Sequence, residues 1–83
     1  MADPILSVII HSRQGPMFEG PASAVSSHNK IGPFDVLPLH ANFVTVVEKH
    51  IIVKLPSGIT KLFEIPRGIL KTKQNKVEIY IGI

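Results

Sequence analysis

Four histidines, His11, His28, His40 and His50, are the side chains best able to bind a metal or move a proton near neutral pH. None stands two, three or four residues from another, the spacings that bring two imidazoles onto one face of a strand or helix. The chain has no cysteine, so any metal site would have to recruit carboxylates through the fold. Each histidine therefore reads as structural or solvent-facing. His40 is the most distinctive, because Pro38-Leu39-His40-Ala41 precedes a predicted strand and suits a residue that caps or braces a loop. The carboxylates Asp3, Glu19, Asp35, Glu48, Glu64 and Glu78 are scattered, with no two close enough in sequence to read as an acid–base pair. Ser7, Ser12, Ser23, Ser26, Ser27 and Ser57 lack the strand–turn–helix setting of a nucleophile elbow. Gly15-Pro16 and Gly32-Pro33 run into strand-like residues, not into a helix whose N-terminus could hold phosphate. Nothing here assembles a nucleophile, a base and an oxyanion donor. The expectation is a protein without catalysis, metal or cofactor.

Charge offers the other possible chemistry. Nine basic against six acidic residues leave +3, and most of the lysines fall in the second half, including Lys71, Lys73 and Lys76. Lys71 and Lys73 share a strand face and Lys76 lies just beyond a turn, so a small positive patch is expected. That keeps single-stranded nucleic acid as an alternative partner. Against it, charged residues make up only 18% of the chain, and only five aromatics exist, most of them wanted by the core. Lysines on strand edges also discourage sheet-to-sheet association, which accounts for them without a ligand.

The elements that must position these residues are strands. Eighty-three residues suit one domain, and 45% hydrophobic residues suffice for a packed core. Seven prolines and six glycines spread along the chain leave strand-sized gaps rich in Ile and Val. The pattern predicts strands at residues 5–11, 17–19, 23–27, 34–37 and 43–47, then 51–55, 59–65, 69–73 and a final strand. In the last, Val77, Ile79, Ile81 and Ile83 alternate with Glu78, Tyr80 and Gly82, a period of two with one buried face. Turns are predicted at Arg13-Gln14-Gly15-Pro16, Pro56-Ser57-Gly58, Ile65-Pro66-Arg67-Gly68 and Gln74-Asn75. The expected fold is all-β, a two-sheet β-sandwich or flattened barrel of short, mostly antiparallel strands. No apolar run approaches the ~20 residues that span a bilayer, and the first residues lack the features of a signal peptide. A cytoplasmic location is expected.

Several segments, in order, resemble the N-terminal β-sandwich domain of the epsilon subunit of bacterial rotary ATP synthases, called delta in mitochondria. Met17-Phe18-Glu19-Gly20 and Ala24-Val25-Ser26 match its early strands. Gly32-Pro33-Phe34-Asp35-Val36-Leu37-Pro38-Leu39-His40-Ala41 is the most specific stretch. The family pattern there is Gly, acidic, apolar, Gly, apolar, apolar, Pro, Gly, His, Ala. Phe63-Glu64-Ile65-Pro66-Arg67-Gly68-Ile69-Leu70 and Asn75-Lys76-Val77-Glu78-Ile79 match the later strands. Pro33 departs from the family's acidic residue, Asp35 and Leu39 from its glycines, Asn42 from its usual proline and Arg67 from a turn glycine.

The resemblance covers residues 6–80 and implies a non-catalytic component of the central stalk, linking the gamma subunit to the membrane rotor ring; the alternative it leaves is a stand-alone protein-interaction module that keeps the sandwich for another contact. It also implies a location peripheral to the inner face of the cell membrane, without insertion into it. By the same resemblance Gly32, Pro33, Phe34, Asp35 and His40 are the expected partner interface. The family's C-terminal helical hairpin has no counterpart in these 83 residues.

Overall fold

The computed structural model describes residues 5–39 and 42–82. His40, Asp3 and Ile83 lie outside that set. Seven strands follow in chain order: β1 (Leu6–Ser12), β2 (Gly15–Ala22), β3 (Ala24–His28), β4 (Pro33–Val36), β5 (Phe43–Lys54), β6 (Thr60–Lys73) and β7 (Lys76–Ile81). Among the described residues there is no helix. The hydrogen-bonded order is β2-β1-β7-β6-β5-β3-β4. Every pairing is antiparallel except β1 with β7.

Two long strands turn this single ribbon into two layers. β3 pairs with the second half of β5, and β7 pairs with the second half of β6. One layer therefore holds β4, β3, the end of β5 and the start of β6. The other holds β2, β1, β7, the end of β6 and the start of β5. The molecule's shortest dimension, 19 Å, fits two sheets about 10 Å apart with their outer side chains.

The prolines and glycines do not always break strands where the sequence predicts. Residues 43–47 and 51–55 form one strand, as do 59–65 and 69–73. The predicted turn at Ile65-Pro66-Arg67-Gly68 is instead a bend within β6. Glu48 pairs with Arg67 and Lys49 with Ile65, so Pro66 falls in a bulge where its missing N–H costs no ladder bond. Lys49, on the facing strand, has φ 74. Gly68 follows the bend because nothing larger fits: a Cβ there would stand 2.7 Å from the Tyr80 carbonyl oxygen. The short strand predicted at residues 17–19 extends to Gly15–Ala22, since β2 is an edge strand that tolerates Pro16 and Pro21. The two-residue turn at Gln74-Asn75 forms as predicted, with both φ values positive.

The inward residues of both layers make one apolar core. Leu6, Val8 and Ile10 of β1, Val77 and Ile79 of β7 and Leu70 of β6 meet Val25, Val36, Ile51 and Val53 from the opposite layer. The buried Ser27 hydroxyl donates to the His50 carbonyl at 2.7 Å, so it carries no desolvation penalty unmet. All four phenylalanines pack against the rim of this core. Phe18 of β2 meets Phe63 of β6 edge-on at 6.1 Å, and Phe34 of β4 meets Phe43 of β5 in the same way at 6.1 Å. Each pair joins the two layers across one open side of the sandwich.

Candidate docking surface

The interface residues expected from sequence lie along β4 and its flanks. A turn precedes the strand, in which Asn29 and Gly32 exchange backbone hydrogen bonds at 3.0 and 3.1 Å. The Asn29 side-chain oxygen accepts from the Ile31 and Gly32 N–H groups at 2.9 and 3.2 Å. With its backbone held this way, and Gly32 supplying φ 144, Ile31 projects outward and is 96% exposed. Pro33 is exposed beside it. Phe34 points inward onto Phe43, and Asp35 points outward, accepting a 2.6 Å hydrogen bond from the Ser26 hydroxyl.

Beyond β4 the chain crosses between layers at the other end of the sandwich. There the Leu39 N–H donates to the Asn75 side-chain oxygen at 2.7 Å, and the Gln74 N–H donates to that of Asn42 at 3.1 Å. Leu39 adopts φ 67 and is 77% exposed, with Leu37 half exposed nearby in sequence. The structure thus places Gly32 and Pro33 at one tip of β4 and the segment leading to His40 at the other. His40 itself is outside the described residues. Ile31 is not among the residues expected from sequence, although an isoleucine within Asn29-Lys30-Ile31-Gly32 is an apolar residue in a polar turn.

The outer face of the layer containing β7 is patterned in rows. Val46, Ile69, Tyr80 and His11 stand directly across from one another on successive strands. The His11 and Tyr80 rings stack at 4.7 Å with an interplanar angle of 11°. The next row runs Val44, Lys71, Glu78, Ile9 and Glu19, and beyond it Lys73 faces Lys76. Lys71, Lys73, Lys76, Gln74 and Glu78 line a shallow depression of about 340 Å³. The expected positive patch is therefore present, with Glu78 set inside it.

The Tyr80 hydroxyl donates to Glu78 Oε2 at 2.7 Å. That hydrogen bond holds the Glu78 carboxyl below its ordinary value, with Lys71, His11 and Lys76 helping and partial desolvation opposing. The same bond pushes the Tyr80 phenol upward. Among the described residues no three His, Asp or Glu side chains converge as a metal site. The described residues thus present apolar side chains at the two tips of β4 and a mixed polar and apolar outer face on the layer containing β7.

Residues 5–82 match the family described as ATP synthase, Delta/Epsilon chain, beta-sandwich domain. No curated protein sequence matches the chain. Among solved structures, the chain is similar to one in the Euglena gracilis mitochondrial ATP synthase, in an OSCP/F1/c-ring structure, with TM-score 0.88 and 15% identity over 98% of this chain and 52% of that one. It is also similar to one in the central stalk/c-ring structure of the Tetrahymena thermophila mitochondrial ATP synthase, with TM-score 0.77 and 9% identity over 100% of this chain and 67% of that one. The chain spans about half the length of the Euglena chain and two thirds of the Tetrahymena one. At these identities the likeness speaks for the fold.

Proposed function

The chain belongs to the ATP synthase delta/epsilon β-sandwich family, and we propose that it is a non-catalytic component of the central stalk, linking the gamma subunit to the membrane rotor ring. The family match over residues 5–82 carries this reading. Solved neighbours from ATP synthase assemblies that include a c-ring support it. A part that links two partners needs separate contact surfaces on one stiff body. The sandwich, whose layers share β5 and β6, supplies the body, and exposed apolar residues flank β4 on both sides, Ile31 before it and Leu37 and Leu39 after it. Attachment to a membrane ring makes the protein peripheral, and no helix of the described residues is long and apolar enough to cross a membrane.

The experiment is reconstitution with the gamma subunit and the detergent-solubilised ring of the same organism, scoring each contact separately. Ile31→Asp and Leu39→Asp should each weaken one contact at least tenfold and spare the other, because each places a charge in an apolar interface. Wild-type binding to both partners by both variants would contradict the assignment. The Lys71, Lys73 and Lys76 depression supports a second reading, contact with single-stranded nucleic acid. An oligonucleotide titration at two salt concentrations separates the two. Phosphate contacts weaken steeply as salt rises, whereas apolar docking does not.

A further inference from the structure

The bend of β6 sets its second half in the middle of a layer, and that position changes what the nearby lysines mean. This half of β6 lies between β5 and β7, and β7 lies between β6 and β1. Lys71, Lys73 and Lys76 therefore stand on interior strands, where there is no edge for them to guard against another sheet. All three are exposed. Lys73 and Lys76 face each other directly, and like charges in that relation are destabilising unless an anion lies between them. The one carboxylate in their depression, Glu78, faces Lys71 instead. Among the described residues, none of the three lysines forms an ion pair. Three lysines against one carboxylate leave a surplus of two positive charges.

The residues beside this surplus are aliphatic. The Gln74-Asn75 turn is held from two sides. The Leu39 N–H donates to the Asn75 side-chain oxygen, and the Ser7 N–H donates to the Asn75 carbonyl at 2.8 Å. Those bonds bring the exposed Leu39 to the lysines' end of the sandwich, together with the segment that opens β1. Ile5, exposed next to the buried Leu6, shares the outward side with Ser7, whose cross-strand partner is Lys76. Tyr80 has no open ring face to offer, with His11 stacked against it and Ile69 directly across. Single-stranded nucleic acid is held largely by bases stacked on aromatic rings. An anionic bilayer instead takes lysines on its phosphates and aliphatic side chains at its headgroup boundary.

We propose that this end of the sandwich binds the surface of an anionic lipid bilayer. Lys71, Lys73 and Lys76 meet lipid phosphates, and Leu39 and Ile5 rest in the headgroup boundary. So few side chains make a weak, reversible contact that salt loosens. The inference concerns lipid alone and needs neither gamma subunit nor ring, so it stands apart from the stalk reading.

Flotation of the chain with vesicles of phosphatidylcholine, with and without phosphatidylglycerol, tests it. The chain should float with the mixed vesicles only, and less as salt rises. Each lysine replaced by glutamine should weaken binding about fivefold, so K71Q/K73Q/K76Q should weaken it roughly a hundredfold. K30Q/K54Q removes charge elsewhere and should bind like wild type. Leu39→Asn, which suits the positive φ there, should weaken vesicle binding severalfold. Inorganic phosphate should not displace the chain. Failure of the wild type to float with the mixed vesicles overturns the proposal. So does an equal loss in K30Q/K54Q, which makes net charge the cause and not this end. Displacement by millimolar inorganic phosphate would reassign the lysines to a discrete phosphate site. Unweakened vesicle binding by Leu39→Asn, with tighter binding of the wild type to oligothymidylate, would reassign them to nucleic acid. Should the triple variant fail to fold, the three single variants carry the same comparison.

Discussion

Tyr80 and Glu78 show how one hydrogen bond sets two titrations in opposite directions. The phenol donates to the carboxylate, which favours the ionised acid and the neutral phenol together. Glu78, lowered in the folded state, contributes stability above its unfolded value, and that contribution fades as pH falls through the lowered folded value. Tyr80, raised in the folded state, contributes below its unfolded value and loses that contribution as pH rises through the raised one. Tyr80→Phe should move the Glu78 carboxyl resonance, followed by carbon NMR, back up toward the ordinary carboxylate range. An unchanged Glu78 titration in the variant would show that the lysines, not the phenol, set it. The alternation of Glu78 and Tyr80 on the solvent face of β7 was readable from period two alone. The stacking of His11 on Tyr80 was not, because it depends on the parallel register of β1 with β7.

At the scale of elements, the bend of β6 separates two residue types that look alike in sequence. Pro66 lies unpaired in the bulge, while Gly68 is buried with the Tyr80 carbonyl oxygen where a side chain would begin. Gly68→Ala should therefore destabilise by roughly 1–3 kcal/mol, since backbone must move to admit the methyl group. Pro66→Ala should cost no more than about 1 kcal/mol, mostly through a freer unfolded chain. Urea denaturation of both variants checks the contrast, and equal losses would reject this account of the bend. A local pattern of Pro and Gly predicts a turn equally well as a bulged bend. What distinguishes them is whether the flanking residues keep the same partner strand.

For the whole molecule, β5 and β6 each belong to both layers, so neither layer can open without dragging strands from the other. Thermal unfolding should be a single transition, with calorimetric and van't Hoff enthalpies in agreement. Two resolved transitions would show that the layers are separable units. The two phenylalanine pairs across the open sides act in the same sense. Phe34, one of the residues of the partner interface expected from the family resemblance, packs edge-on against Phe43. Phe34→Ala therefore tests the seam, whereas Ile31 and Leu39 test docking.

The sequence by itself determined the class of this protein: β-branched runs between evenly spread breakers made it all-β, and period two picked out the buried face of β7. It also determined the family, through short segments in the right order. Those properties are local, or depend only on order along the chain. The tertiary structure alone decided that the segment leading to His40 is tied to the turn between β6 and β7, through the Leu39 N–H on the Asn75 side-chain oxygen. It alone exposed Ile31 and left residues 44–47 of β5 paired with β6 only. An edge is open or closed according to which strand lies beside it, and strand neighbours are fixed by the path of the two bent strands through space.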